Sequence, residues 1–267
     1  MLGVVQGLTE FLPISSTGHL RIVPAFVGWD DPGAAFTAVT QLGTMAAVVL
    51  YFRDDLWRIG TAWLHSVRDR RARSELDARL GWYILFATIP IGLFGLAFKD
   101  QIETGARNLY LIGSALIVVG LVLLAAEEVS KRDRGIEDIE ARDAAGVGLA
   151  QTLALVPGVS RSGSTIAAGL FLGLDRAAAA RFSFLLSVPA VVLSGLYELL
   201  GIVTGSEQQD VATSKLIIST LIAFVVGYAA IAWLLRFLVS HTTIVFVVYR
   251  VLLGTAVLVL VGTGAIH

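Results

Sequence analysis

Long apolar runs alternate with short charged segments along this chain, and the lengths of those runs carry the first inference. Six stretches, 36–52, 82–98, 108–126, 182–200, 215–238 and 244–264, approach or reach the roughly 20 apolar residues that take a helix across a bilayer. Two others, 1–22 and 148–174, are built differently: an apolar run stopped by proline (Pro13, Pro157), a turn rich in Ser, Thr and Gly, then a second apolar run. Non-helical backbone at membrane depth survives only where protein or a water-filled cavity surrounds it. Both stretches therefore predict re-entrant hairpins of two half-helices. The expectation is an all-α integral membrane protein with six spanning helices and two re-entrant hairpins, passing several times through the cytoplasmic membrane.

The hairpins resemble each other at an offset of 145 residues: Gly3 with Gly148, Gln6 with Gln151, Leu8 with Leu153, Ser15 with Ser160 and Gly18 with Gly163. One residue of slippage then brings Phe36 onto Phe182 and Tyr51 onto Tyr197. The single membrane domain 1–267 thus divides into a first repeat, 1–126, and a second, 148–264, each a hairpin followed by three spans. An odd number of crossings per half inverts the second copy, an arrangement that builds polar sites at the bilayer midplane. Placing 53–81, 127–145, 173–181 and 236–243 on one side collects fourteen of the 20 Lys and Arg residues, against Arg21, Lys99, Arg107 and Lys215 on the other. The richer side is expected to be cytoplasmic. Segment 127–145, rich in both signs, reads as a solvated connector.

Composition agrees: 56% of the 267 residues are hydrophobic and only 15% charged, well below soluble domains. The absence of cysteine excludes disulfides, thiolate metal sites and a cysteine nucleophile. The net charge of −1 and the lack of basic runs interleaved with aromatics give no sign of nucleic acid. The run Met1–Leu12 carries Gln6 and Glu10 and is too short to cross alone or to read as a cleavable leader.

Within 1–22 and 148–174 the one acidic residue is Glu10 and the one histidine His19. Gln6 and Glu10, four apart, share a helix face, and their oxygens suit a hard divalent cation such as Mg²⁺ or Ca²⁺. Ser15 and Thr17 read as phosphate-binding hydroxyls and equally as caps of the following half-helix. Ser16 stands out through its neighbours, a carboxylate six residues back and an imidazole three residues on. In the second hairpin, Arg161 offers a planar fork of donors, and Ser160, Ser162, Ser164 and Thr165 surround it with hydroxyls in a Gly-containing turn, the parts of an anion cradle. Arg250, near the start of the last apolar stretch, reads as a snorkelling side chain outside the site. Cation ligands on one hairpin and anion ligands on the other suit a metal-bound phosphate.

The stretches Gly7-Leu-Thr-Glu-Phe-Leu-Pro-Ile-Ser-Ser-Thr-Gly-His19 and Pro157-Gly-Val-Ser-Arg-Ser-Gly-Ser-Thr165 resemble the two signatures of the undecaprenyl-diphosphate phosphatase family, the bacitracin-resistance membrane phosphatases. The resemblance implies hydrolysis of a C55 polyprenyl diphosphate to the monophosphate carrier of cell-wall synthesis, with a divalent cation. It also implies Gln6 and Glu10 on a (Glu/Gln)-x-x-x-Glu motif, Ser16 and His19 at catalytic positions, and Ser160, Arg161 and Thr165 on phosphate. Gln6 stands where many relatives carry Glu, which removes a charge from the metal motif, and relatives usually begin further upstream. As a mechanism, Ser16 attacks the terminal phosphorus with His19 as base; attack by His19 itself or by metal-bound water stays open. The competing class is a transporter or flippase of a phosphorylated polyprenyl lipid, since inverted repeats with broken helices are transporter architecture. Expected partners are the lipid substrate and the bilayer; self-association into a homo-oligomer is left open.

Overall fold

The computed structural model describes residues 1–31, 33–98, 108–203 and 213–266, which are helical almost throughout and contain no strand. Helix α1 (Leu2–Phe11) stops because Pro13 lacks an N–H and bars Leu12 from helical ψ, which stands at 141°. Helix α2 (Ser16–Val27) completes the first hairpin and runs past the expected limit at residue 22. It ends at Gly28 in the left-handed region, whose N–H bonds Pro24 O. Then come α3 (Gly33–Tyr51), α4 (Arg53–Arg68), α5 (Leu76–Ala97) and α6 (Leu109–Val129). The second hairpin is α7 (Ala141–Thr152), a 3₁₀ turn at Leu153–Leu155 and α8 (Arg161–Phe171); α9 (Arg176–Val203), α10 (Thr213–Ser240) and α11 (Ile244–Gly262) follow.

Among the described residues five helices are long and apolar enough to span: α5, α6, Arg176–Leu193 of α9, Ser214–Ser240 of α10, and α11. Val39–Tyr51 of α3 is apolar but shorter. The protein is thus an all-α, multi-pass membrane protein. Segment 99–107, which carries Lys99 and Arg107 of the side expected opposite the cytoplasm, and segment 204–212 lie outside the described residues.

The hairpin arms pack crosswise. α1 lies on α10 and α7 on α5, while α3 packs on α10 and α9 on α5. Glycine permits both first-arm contacts. Gly3 meets the Ser219 backbone, and a Cβ on Gly148 would come within 2.7 Å of Ala87 O.

Two charged segments carry more structure than their composition shows. In 53–81, α4 and a 3₁₀ turn at Arg70–Ser74 occupy most of the length. Segment 127–145 is a solvated connector only in part: Glu128, Lys131, Asp133, Glu137, Asp138, Glu140 and Arg142 are exposed, but its other charges are tied into the protein. Glu127 is 3% exposed; it accepts from Arg132 at 2.7 Å, from Arg176, and from Thr243 Oγ1 at 2.8 Å. Arg134 donates to both oxygens of buried Asp143, at 3.0 and 2.6 Å, and to Leu172 O. Asp143 also accepts from Glu140 N at the start of α7, so this arm begins seven residues before the expected 148. The buried and half-buried charges of this segment, Glu127, Arg132, Arg134 and Asp143, pair inside the protein, while the rest stay exposed.

Candidate active site

The two hairpin turns adopt one backbone geometry. Ser15 precedes α2 with φ 76° and ψ 99°, and Ser160 precedes α8 with φ 76° and ψ 120°. Each is an N-cap: Ser15 Oγ accepts from Gly18 N at 3.4 Å and Ser160 Oγ from Gly163 N at 3.0 Å. A positive φ on a residue with a Cβ costs about 1–3 kcal/mol and persists only where surroundings enforce it. The turns enforce each other. Ser162 Oγ donates to Leu12 O at 3.1 Å and contacts Ser160 Oγ at 3.2 Å. Gly158, at φ 92°, lies so near α6 that a Cβ there would stand 2.7 Å from Ile112 O.

Glu10, on the last turn of α1 and 7% exposed, is the hub. Its Oε2 accepts from Ser16 Oγ at 2.6 Å and Gln6 Nε2 at 3.0 Å. Its Oε1 accepts from Arg161 Nη2 at 2.7 Å and, from α3, Gln41 Nε2 at 3.3 Å. The structure thus joins Gln6, Glu10, Ser16 and Arg161 from both hairpins in one network. Arg161 Nη1 also reaches Ser187 O on α9 at 3.4 Å.

His19 stands apart from that network. Its Nδ1 lies 2.7 Å from Ser15 O and its Nε2 2.7 Å from Tyr249 Oη, with the two rings stacked at 5.6 Å. A carbonyl only accepts, so Nδ1 carries the proton, Nε2 is the acceptor and the tyrosine hydroxyl donates. The Ser16–His19 pairing expected from sequence is not the one found in this conformation: Ser16 turns to Glu10. Of the remaining hydroxyls, Thr17 Oγ1 sits 3.4 Å from Ser15 Oγ, Ser164 Oγ donates to Arg161 O at 3.0 Å, and Thr165 Oγ1 lies 2.6 Å from Ser183 Oγ. Ser164 and Thr165 hold the first turn of α8 together.

Arg250 overturns its snorkelling assignment. It is 0% exposed. Its guanidinium donates to Pro13 O (3.0 Å) in the first turn, Gly158 O (2.9 Å) and Val159 O (3.0 Å) in the second, and Ala115 O (3.3 Å) and Leu116 O (3.1 Å) on α6. It forms no ion pair among the described residues. An acid-free guanidinium beside two helix N-termini makes the centre electropositive, a setting for an anion. The signal in the sequence was a charge within an apolar span; the carbonyls it ties together belong to three distant segments. Tyr249 and Gln41 carried no local signal.

A divalent cation has a partial set of ligands here. Gln6 Oε1 is buried without a hydrogen-bond partner, and the adjacent Glu10 supplies the one carboxylate, its oxygens held here by Ser16, Gln6, Arg161 and Gln41. No group of three or more His, Cys, Asp or Glu occurs among the described residues. A carboxylate and an amide oxygen are donors of the kind a hard cation takes, two of the roughly six that it needs.

The bacitracin resistance protein BacA family model matches residues 1–256. The chain is 54% identical to an undecaprenyl-diphosphatase of Nocardioides sp., covering all of this chain and 96% of that protein. It is 55% identical to one of Mycolicibacterium smegmatis with the same coverage, and 56% identical to one of Mycobacterium tuberculosis, covering 94% of the latter. With that match over nearly its whole length, and more than half its residues shared with these relatives, the chain belongs to the bacitracin resistance protein BacA family.

Proposed function

We propose that this protein is an undecaprenyl-diphosphatase, hydrolysing undecaprenyl diphosphate to the monophosphate and inorganic phosphate and so returning the lipid carrier to cell-wall synthesis. The observation that carries the reading is the Ser16 hydroxyl donating to Glu10 at 2.6 Å where two helix N-termini and two guanidinium groups meet. A carrier of phosphorylated lipid needs anion ligands but no carboxylate-bound hydroxyl. Relatives named for this activity over their whole length support the same conclusion.

Phosphoryl transfer needs positioning and charge neutralisation. Ser16 Oγ attacks the terminal phosphorus and its proton passes along the existing hydrogen bond to Glu10. The bond from that phosphorus to the bridging oxygen breaks, and the lipid monophosphate leaves. Water then cleaves the Ser16 phosphoester, releasing phosphate and restoring the hydroxyl. Arg161, parked on Glu10, moves to the phosphate, where its fork takes two oxygens. His19 holds the Ser15 carbonyl through Nδ1–H, and its Nε2, which accepts from the Tyr249 hydroxyl, takes or returns a proton once that bond opens. Gln6 and Glu10 would hold the Mg²⁺ or Ca²⁺ ion, which when bound neutralises diphosphate charge.

The second half is read as an inverted copy of the first, which the crosswise packing of α1 on α10 and α7 on α5 supports. Phosphate release from C55 and farnesyl diphosphates by purified protein in detergent, with and without EDTA, tests the whole reading. Bound but unhydrolysed substrate would leave the carrier reading in place.

A further inference from the structure

Helix α4 has three faces. Ile59 and Ser66 are buried toward α5, where Trp63 packs edge-on to Trp82 at 5.7 Å. Trp57, Leu64 and Val67 point the other way, at 76%, 59% and 48% exposure. Trp57 and Leu64 are seven residues apart, two turns along one face. Asp54, Arg58 and His65 line an exposed flank, with Arg58 committed to Asp55 at 3.1 Å and Asp77 at 2.7 Å. Past the last apolar position, Arg68, Arg70 and Arg71 are all exposed, and none forms an ion pair among the described residues.

Connectivity says where this face lies. Only Phe52 separates α4 from α3, and α5, a span, begins at Leu76 just beyond the arginines. An amphipathic helix tied between membrane helices sits at the bilayer boundary, with tryptophan at headgroup depth. Three unpaired guanidinium groups at the end of an apolar stripe complement phosphate rather than zwitterionic surface. They oppose a second copy of the same face, where they would meet like charge.

We propose that α4 is an interfacial helix seating Trp57, Leu64 and Val67 in an anionic phospholipid leaflet, with Arg68, Arg70 and Arg71 on its headgroup phosphates. The assignment does not depend on the catalytic reading. Full-length protein is placed in nanodiscs of phosphatidylcholine with brominated acyl chains, with and without phosphatidylglycerol. The Trp57 signal is the difference between wild type and Trp57→Phe. Trp57 is expected to be quenched by bromolipid and more so with phosphatidylglycerol. At about fivefold in association per guanidinium, the triple variant Arg68→Gln, Arg70→Gln, Arg71→Gln loses that increment while its Tm and phosphate release stay unchanged. The corresponding triple lysine variant keeps it. Quenching by aqueous iodide in place of bromolipid, the same quenching in both lipids, or cross-linking between Trp57→Cys protomers would each overturn the proposal.

Discussion

Ser16 donates its hydroxyl hydrogen to Glu10 at 2.6 Å, while His19, three residues on, is held 2.7 Å from the Ser15 carbonyl and 2.7 Å from the Tyr249 hydroxyl. The carboxylate is therefore the acceptor in place beside the nucleophilic hydroxyl, and the imidazole braces the turn from behind. This division of labour separates the variants below.

Glu10→Gln keeps size and loses charge. It leaves a neutral amide oxygen in place of the carboxylate, so the base for Ser16, the ion-pair partner of Arg161 and the one anionic cation ligand are lost together. Phosphate release at saturating Mg²⁺ should fall at least a hundredfold, about 2.7 kcal/mol in barrier, with expression intact. Retention of a tenth of wild-type kcat would remove Glu10 from the chemistry.

Ser16→Ala should lose nearly all activity, and slowing the second step in the wild type should accumulate an acid-stable phosphoserine. His19→Ala should cost roughly 10²–10⁴-fold if the imidazole moves a proton, and less if it only braces the turn. An acid-labile, base-stable phosphoenzyme would instead make His19 the nucleophile.

Tyr249→Phe removes one hydroxyl from a side chain already 43% exposed, so folding should be untouched. His19 Nε2 loses its donor, worth about 0.5–1.5 kcal/mol for a single neutral bond. A drop in kcat of a few fold and a changed ¹⁵N shift of His19 Nε2 at constant Tm are expected. An unchanged ¹⁵N spectrum would show that the hydroxyl does not donate to Nε2.

Arg161→Lys retains charge but not the fork that joins Glu10 and Ser187 O. kcat/KM should remain severely reduced; recovery to near wild type would exclude two-point phosphate contact.

Arg250→Lys should differ from Arg161→Lys in lowering Tm as well as activity. One ammonium cannot reach carbonyls on both turns and α6, and each buried carbonyl left unpaired costs about 1–3 kcal/mol. Thermal unfolding in detergent by tryptophan fluorescence reads the difference. A normal Tm would mean that the turns hold their positive φ without it.

Membrane class, the apolar helices and the identities of Gln6, Glu10, Ser16 and Arg161 were legible in the sequence because they rest on local information: run length, proline stops and the spacing of polar residues within two short motifs. What those motifs do to each other was not. That Arg161 of one hairpin meets Glu10 of the other, and that the neighbours Tyr249 and Arg250 reach from the last helix to His19 and to both turns, depend on contacts between residues 90 or more positions apart, and these in turn leave Ser16 to Glu10, six residues back, rather than to His19. Single positions carry no trace of such pairings. Arg250 shows the limit well: a cation in an apolar stretch is costly wherever it sits, and only the packed structure decides whether it escapes to the interface or, as here, finds five carbonyls in the interior and holds the site's two strained turns in place.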